Sequence, residues 1–262
     1  MDQWSRYSQQ NRRAWEEIAE RRSETFPGSR PAAFFREGGS VLDPRVVAAM
    51  GEVAQKRLLH LMCATGEDTL SWAVLGAHAV GIDISERQIA IARQRAAEAG
   101  LSVRFEAADV GDLPAEFARH TFDCVYTGGG VLVWIPDLAR WAAAIAAALT
   151  PAGRFVLWEE HPVTMGLWGV DGRVEIVGSY WQRGTPDESS GWTHFPGGED
   201  ATERKYEFAW PLGDVVTSLA RAGLRIDELA EYPTMSDWRF GSALPVARQL
   251  PGTVLLVATR EP

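Results

Sequence analysis

Cysteine is scarce in this chain: there are two in 262 residues. Cys63 and Cys124 both fall in strand-like or strand-end segments, which predicts buried thiols rather than a bridge. Long apolar runs are missing too. Nothing approaches the roughly 20 residues needed to cross a bilayer, and Met1-Asp-Gln-Trp-Ser5 is polar from the start, so neither a membrane partner nor a secretory leader is expected. A cytoplasmic protein is the expectation. Basic clusters are also lacking. The formal net charge is -9, and the arginine pairs at 12–13 and 21–22 sit among glutamates. Nucleic-acid binders carry a basic face, so no nucleic-acid partner is expected, and a neutral or cationic small molecule is easier to admit. No convincing set of metal ligands stands out either.

What is present is the composition of a folded core, 46% hydrophobic. The length suits one domain with a lobe, or at most two small units. Strands are predicted at 57–62, 79–83, 102–108, 122–126 and 153–159, alternating with helices at 67–76, 86–99 and 137–149. That alternation predicts an α/β, doubly wound parallel sheet. A helix over 211–223, capped by Gly223, and strands 224–232 and 252–260 complete seven strands with an antiparallel edge. Upstream, 4–24 reads as an amphipathic helix with Trp4, Tyr7, Trp15 and Ile18 roughly on one side. Residues 27–45 read as a loop with one short helical piece. From His161 to about Glu207 the alternation breaks into aromatic and glycine-rich, strand-rich hairpin material at the ligand-facing edge. The expected parts are a helical cap (1–45), a ligand-binding core (46–160), a substrate-side insertion (161–210) and the remainder of the core sheet (211–262).

The turn after the first strand carries the chemistry. A dinucleotide site usually has three glycines here, so that backbone and a helix N-terminus receive a pyrophosphate. This turn has one, Gly66, followed by Glu67 and Asp68, two carboxylates that would repel a pyrophosphate. They suit a sulfonium or ammonium ligand, which favours S-adenosylmethionine over a nicotinamide cofactor. Asp83 ends the second strand, where a carboxylate grips both hydroxyls of a ribose. Asp109 ends the third, placed to hold adenine together with the Val110 backbone.

Six segments in order make the likeness specific: the His60-to-Gly66 turn, Val80-Gly-Ile-Asp-Ile-Ser85, Ala107-Ala-Asp-Val110, Phe122-Asp-Cys-Val-Tyr-Thr127, Gly130-Val-Leu-Val-Trp-Ile-Pro-Asp137 and Leu149-Thr-Pro-Ala-Gly-Arg-Phe155. The chain resembles the class I S-adenosylmethionine-dependent methyltransferases of the small-molecule type. It departs from them at His60, where the family carries an acid, and at Met62 and Ala64, where it carries glycines. The resemblance implies a Rossmann-like core with an N-terminal helical lid. It implies a cofactor site of His60, Cys63, Ala64, Thr65, Gly66, Asp68, Thr69, Asp83, Ile84, Asp109, Val110, Thr127 and Gly128. Tyr7, Asn11 and Trp15 share a helix face, either as an apolar packing stripe or as the lid over the cofactor.

Candidate substrate residues are Trp134, Tyr180, Trp181 and His194. His161 is the candidate general base, against the commoner structural role of a lone histidine, and Glu159 or Glu160 is a candidate for holding a substrate amine. Aromatic walls favour a flat, partly apolar acceptor. The expected activity is transfer of a methyl group to an oxygen or nitrogen of a small planar metabolite, leaving S-adenosylhomocysteine. A non-catalytic S-adenosylmethionine-binding protein and an NAD-dependent oxidoreductase are the alternatives. The aromatic lobe is either pocket or interface, in a monomer or a homodimer.

Overall fold

Segments that bury almost every side chain form the centre of the molecule, as strands covered on both faces do. The computed structural model describes residues 2–22, 29–192, 195 and 198–261. In chain order it begins with α1 (Gln3–Arg22), α2 (Ala32–Arg36) and α3 (Pro44–Met50). The alternating part is β1 (Arg57–Leu61), α4 (Glu67–Val74), β2 (His78–Asp83), α5 (Glu86–Ala99), β3 (Arg104–Ala107), β4 (Phe122–Gly128), α6 (Leu138–Ala148) and β5 (Leu149–Glu160). Then come β6 (Leu167–Val170), β7 (Arg173–Ile176), β8 (Asp187–Ser189), β9 (Lys205–Glu207), α7 (Leu212–Arg221), β10 (Leu224–Tyr232), α8 (Asp237–Phe240), α9 (Leu244–Ala247) and β11 (Thr253–Arg260).

The seven-stranded sheet has the order β10-β11-β5-β4-β1-β2-β3, the doubly wound arrangement that the alternation predicts. β11 runs antiparallel to both β5 and β10, so the reversed strand lies one position in from the edge. β1 lies between β2 and β4 and runs parallel to both, and the order of winding reverses between β1 and β4. A crevice opens at the C-terminal strand ends there, where open α/β sheets hold their ligands.

Helix faces follow their sequence. α6 buries Leu138, Trp141, Ala142, Ile145 and Ala148, one apolar stripe, and its start is fixed by Asp137, whose carboxylate accepts from Ala139 N at 2.8 Å and Arg140 N at 3.2 Å. α2 is the one short helical piece expected within 27–45; α3, which follows it, is not among the expected elements. Pro44 stands in its first turn and Asp43 caps it, a place where proline starts a helix rather than breaking one. The insertion holds two antiparallel pairs, β6–β7 and β8–β9. The first turns at Asp171-Gly172, both with positive φ (48° and 77°), as tight hairpins require.

α1 lies across the C-terminal edge of the sheet and is held from two sides. Glu16 accepts from the backbone N–H of Glu86 (2.6 Å) and Arg87 (3.3 Å) at the start of α5, a favourable place for a carboxylate. On the other side Asn11 exchanges two bonds with the main chain of Tyr206 in β9 (2.9 and 2.7 Å), and Glu17 accepts from Thr202 N and Glu203 N. No helix among the described residues is long and apolar enough to cross a membrane.

Replacing Asp137 with Ala removes the acceptor for two helix-start N–H groups. It is expected to lower stability by about 1 kcal/mol, read as a shifted midpoint in urea denaturation with an unchanged slope.

Candidate cofactor and acceptor cleft

Beneath α1 lies a cleft open to solvent. Its roof is one stripe of α1, Trp4, Ser8, Asn11 and Trp15. Its other walls are Met62 and Ala64 after β1, Asp83 and Ile84 after β2, Gln88 on α5, Ala108 to Val110 after β3, Gly129 to Val131 after β4, and Trp134.

Asp83 is 7% exposed. One oxygen accepts from Ala64 N (2.9 Å) and the other from Ser85 N (3.0 Å), which leaves each with a lone pair for the cleft. Burial pushes this carboxyl up to about 6, against the backbone bonds that favour its charge. Asp109 accepts from Gly111 N at 2.9 Å. It also accepts from the indole N–H of Trp4, at 2.9 and 3.0 Å from its two oxygens. The indole lies directly on Gly111, where an added Cβ would stand 2.1 Å from the ring.

The turn after β1 has the backbone of a glycine turn without the glycines. Met62 and Ala64 take φ of 59° and 47°, and Gly66 takes 83°. A non-glycine residue in that region carries a cost of order 1–2 kcal/mol. Gly66 caps α4, and a Cβ on it would meet Phe105 at 2.7 Å.

The remaining residues of the expected set point elsewhere. His60 is under α4, its Nδ1 paired with Thr69 Oγ1 at 2.8 Å; burial lowers it to about 3, so it is neutral. Asp68 accepts from the Tyr126 hydroxyl at 3.0 Å, Thr65 Oγ1 accepts from Arg95 at 3.0 Å, and Thr127 donates to Leu61 O at 3.0 Å. Cys63 and Cys124 are buried and free. Gly128 packs tightly: an added Cβ would lie 2.4 Å from Trp158 O. Tyr7 is on another face of α1, its ring against Tyr206 and Phe208. None of these residues lines the cleft; Asn11, Trp15, Ala64, Asp83, Ile84, Asp109, Val110 and Trp134 do.

The substrate-side expectations divide likewise. Trp134 lies on the cleft with Trp15, their rings 5.2 Å apart, and Trp192 backs both at 4.5 and 5.4 Å. Tyr180 instead accepts from Leu212 N at the start of α7, and Trp181 is 64% exposed beside it. His194 lies outside the described residues. His161 is off the cleft: its Nε2 pairs with Glu231 at 2.8 Å and its Nδ1 accepts from Val163 N. A histidine so engaged is a structural bracket between β5 and β10, not a base poised over a ligand. Glu160 is held by Ser236 and Arg239. Glu159, 3% exposed, accepts from Gly130 N (2.7 Å), Val131 N (2.6 Å) and Leu132 N (3.1 Å). It shapes the cleft wall rather than binding a substrate amine.

Sequence reasoning missed Trp4, Ser8, Met62, Gln88, Ala108 and Val131 as wall residues. Gln88 had a legible signal, since it is the polar member of an α5 stripe otherwise made of Ile89, Ala92, Ala96 and Ala99.

Residues 58–153 match the family described as a methyltransferase domain. Over 144 residues the chain is 35% identical to a demethylmenaquinone methyltransferase of Thermus thermophilus, covering 54% of this chain and 62% of that protein. It is 36% identical over 102 residues to a ubiquinone biosynthesis O-methyltransferase of Aromatoleum aromaticum, 39% of this chain and 43% of that one. The chain thus spans about half the length of these relatives. Among solved structures, the geranyl diphosphate C-methyltransferase of Streptomyces coelicolor, in complex with S-adenosyl-L-homocysteine, superposes with a TM-score of 0.63 at 12% identity, over 97% of this chain and 98% of that one. That likeness is one of fold.

Two outcomes are expected from this geometry. Ala64→Gly relieves the left-handed strain at an exposed position and should stabilise the protein by about 0.5–1 kcal/mol, net of glycine's added chain entropy, in urea denaturation. Burial also raises Asp68 and Asp83 to about 6 and Glu159 to about 7. Each binds its proton more tightly folded than unfolded, so its charged form opposes folding above those values. Buried His60 and His161 are lowered by the same desolvation, so below about 6.5 they oppose folding as the carboxyls favour it. The two effects should largely cancel, and stability should stay nearly level from pH about 8 to about 5, measured by denaturation across that range.

Proposed function

We propose that the chain, whose residues 58–153 match a methyltransferase-domain family, is a class I S-adenosylmethionine-dependent methyltransferase that transfers a methyl group to an oxygen or nitrogen of a small planar aromatic or heterocyclic acceptor. The observation that carries this reading is the convergence of Asp83, Asp109, Trp15 and Trp134 on one cleft. The cofactor supplies an activated methyl group on a sulfonium. The residues fit it: Asp83 keeps one lone pair per oxygen for the two ribose hydroxyls, and the left-handed turn at 62–66 brings backbone close to the ligand as glycines would.

The protein's own work is alignment and exclusion of water. Trp15 and Trp134 offer aromatic faces to a flat acceptor and attract a cationic sulfur. Gly129 and Gly130, in left-handed conformation, leave open space where a Cβ would project, so an acceptor has room beside the reacting methyl. Glu159 fixes that loop by binding its N–H groups. An oxygen acceptor draws support from the relative named for ubiquinone biosynthesis O-methyl transfer. A small-molecule enzyme of the cytoplasm, monomeric or homodimeric and without a nucleic-acid partner, fits the net charge of -9.

Calorimetric titration with S-adenosylhomocysteine should give micromolar binding, with NAD inert. Asp83→Ala should weaken it roughly 100-fold, the loss of two charge-assisted bonds. The ligand's hydroxyls donate to the ionised carboxylate, so affinity should hold above pH about 6 and decline below it. Release of S-adenosylhomocysteine on incubation with flat phenols and heterocyclic amines would identify the acceptor class. Binding without turnover across such a set favours the non-catalytic alternative.

A further inference from the structure

We propose that the outer edge of β7 is a homodimer interface, where two copies of this chain pair β7 with β7 about a two-fold axis centred on Val174. The interface stands apart from the cleft, which no β7 residue lines. β6 and β7 form a sheet of only two strands, and a two-stranded hairpin is marginal in water. Val177 N donates to Gly166 O at 2.8 Å, which together with the register of the pair fixes the alternation. Arg173 and Glu175 turn their backbone groups toward β6, while Val174 and Ile176 turn theirs outward. Those outward N–H and C=O groups have no partner among the described residues. Water reaches the edge, since Arg173 and Glu175 are exposed and Ile176 and Val177 are 83% and 60% exposed. A free edge with an apolar end is a template for another strand.

The charges say which strand fits. A two-fold interface must be complementary to itself, and Arg173-Val174-Glu175 is complementary to its own reverse. With Val174 opposite its copy, Arg173 of each chain faces Glu175 of the other, twice, and cross-strand pairs of opposite charge stabilise a sheet. Neither side chain has a hydrogen bond or ion pair among the described residues, so both are free to make these contacts. They lie on the face of the hairpin opposite Val174, which packs against Phe240, Leu244 and Ala247. Ile176 then falls opposite Gly172 of the second copy, where a glycine leaves open space. Centring the axis on Glu175 instead would set two glutamates against each other. The long free edge of the central sheet is guarded by contrast: β10 carries Asp227, Glu228 and Glu231 against Arg225, and would repel a copy of itself. Pairing through β7 joins the two hairpins into one four-stranded sheet, which three or more strands make stable.

Sedimentation equilibrium of the full chain should show a reversible dimer. Arg173→Glu and Glu175→Arg should each weaken it about tenfold, because two attractive contacts become repulsive. The double variant R173E/E175R restores both pairs with their signs exchanged, and should return the dissociation constant to within about threefold of wild type. Ile176→Pro removes an outward N–H without touching a bond to β6, and should also weaken the dimer. All four substitutions are at exposed positions, and circular dichroism on each variant confirms that the fold is kept. A wild type that stays monomeric at its highest soluble concentration overturns the proposal. So does a dimer that none of the variants weakens, which would lie on another face, or a double variant no tighter than the single ones.

Discussion

One buried carboxylate holds the ligand side of this fold together. Asp83 accepts from Ala64 in the turn after β1 and from Ser85 at the cap of α5, so it joins the first two βα crossings at the point where the sheet reverses. The turn at 62–66 runs through two left-handed non-glycine residues, a shape that sequence preference resists. Two tertiary bonds hold it, Ala64 N to Asp83 and Cys63 N to Ile82 O at 2.8 Å, with Gly66 N to Cys63 O at 2.9 Å closing the turn itself. The carboxylate is thus cleft wall and scaffold at once, and burying it raises its own proton affinity.

The roof of the cleft obeys a comparable logic. α1 has modest apolar content, and much of its hold comes from polar contacts at its ends and flanks: Trp4 to Asp109, Asn11 to Tyr206, Glu16 to the start of α5 and Glu17 to residues 202–203. Such bonds are directional, so they set the rotation of the helix about its axis. That rotation turns Trp4, Ser8, Asn11 and Trp15 toward the cleft and Tyr7 away. The aromatic residues of the insertion then have a structural task, since Trp192 packs behind Trp15 and Trp134 and fixes the faces they present.

How much of this was legible in the sequence depended on the range of the deciding interaction. The alternation of strands and helices is a local pattern, and the seven strands lie within a few residues of their expected positions. Asp83 and Asp109 were legible because a strand end is a place as well as a residue. Tyr7 was misplaced because a helix turns about 100° per residue, and Tyr7-Asn11-Trp15 fits a stripe almost as well as Ser8-Asn11-Trp15. The partner that chose between them, Tyr206, is 195 residues from Asn11. His161 was misplaced for a similar reason. It stands at the end of β5 on the ligand-facing edge, but β11 and β10 pair alongside and bring Glu231 to its ring. α8 and α9, of four residues each, are too short to carry a period.

The turn after β1 shows why departure from a family pattern is weak ground for inferring loss of a site. Glycine makes a left-handed turn easy, but it does not itself specify the turn; the specification lies in what the surrounding groups bind. Here Asp83, Ile82 and the cap of α4 hold the same path with Met62 and Ala64 in place, at a cost of order 1–2 kcal/mol per residue. That is affordable for a fold of this size, whose stability is of order 10 kcal/mol. His60 follows the same rule: neutral and bonded to Thr69, it occupies the acid's place beneath α4 without bringing a charge there. The substituted residues changed the material of the turn and left its path in position to serve a ligand.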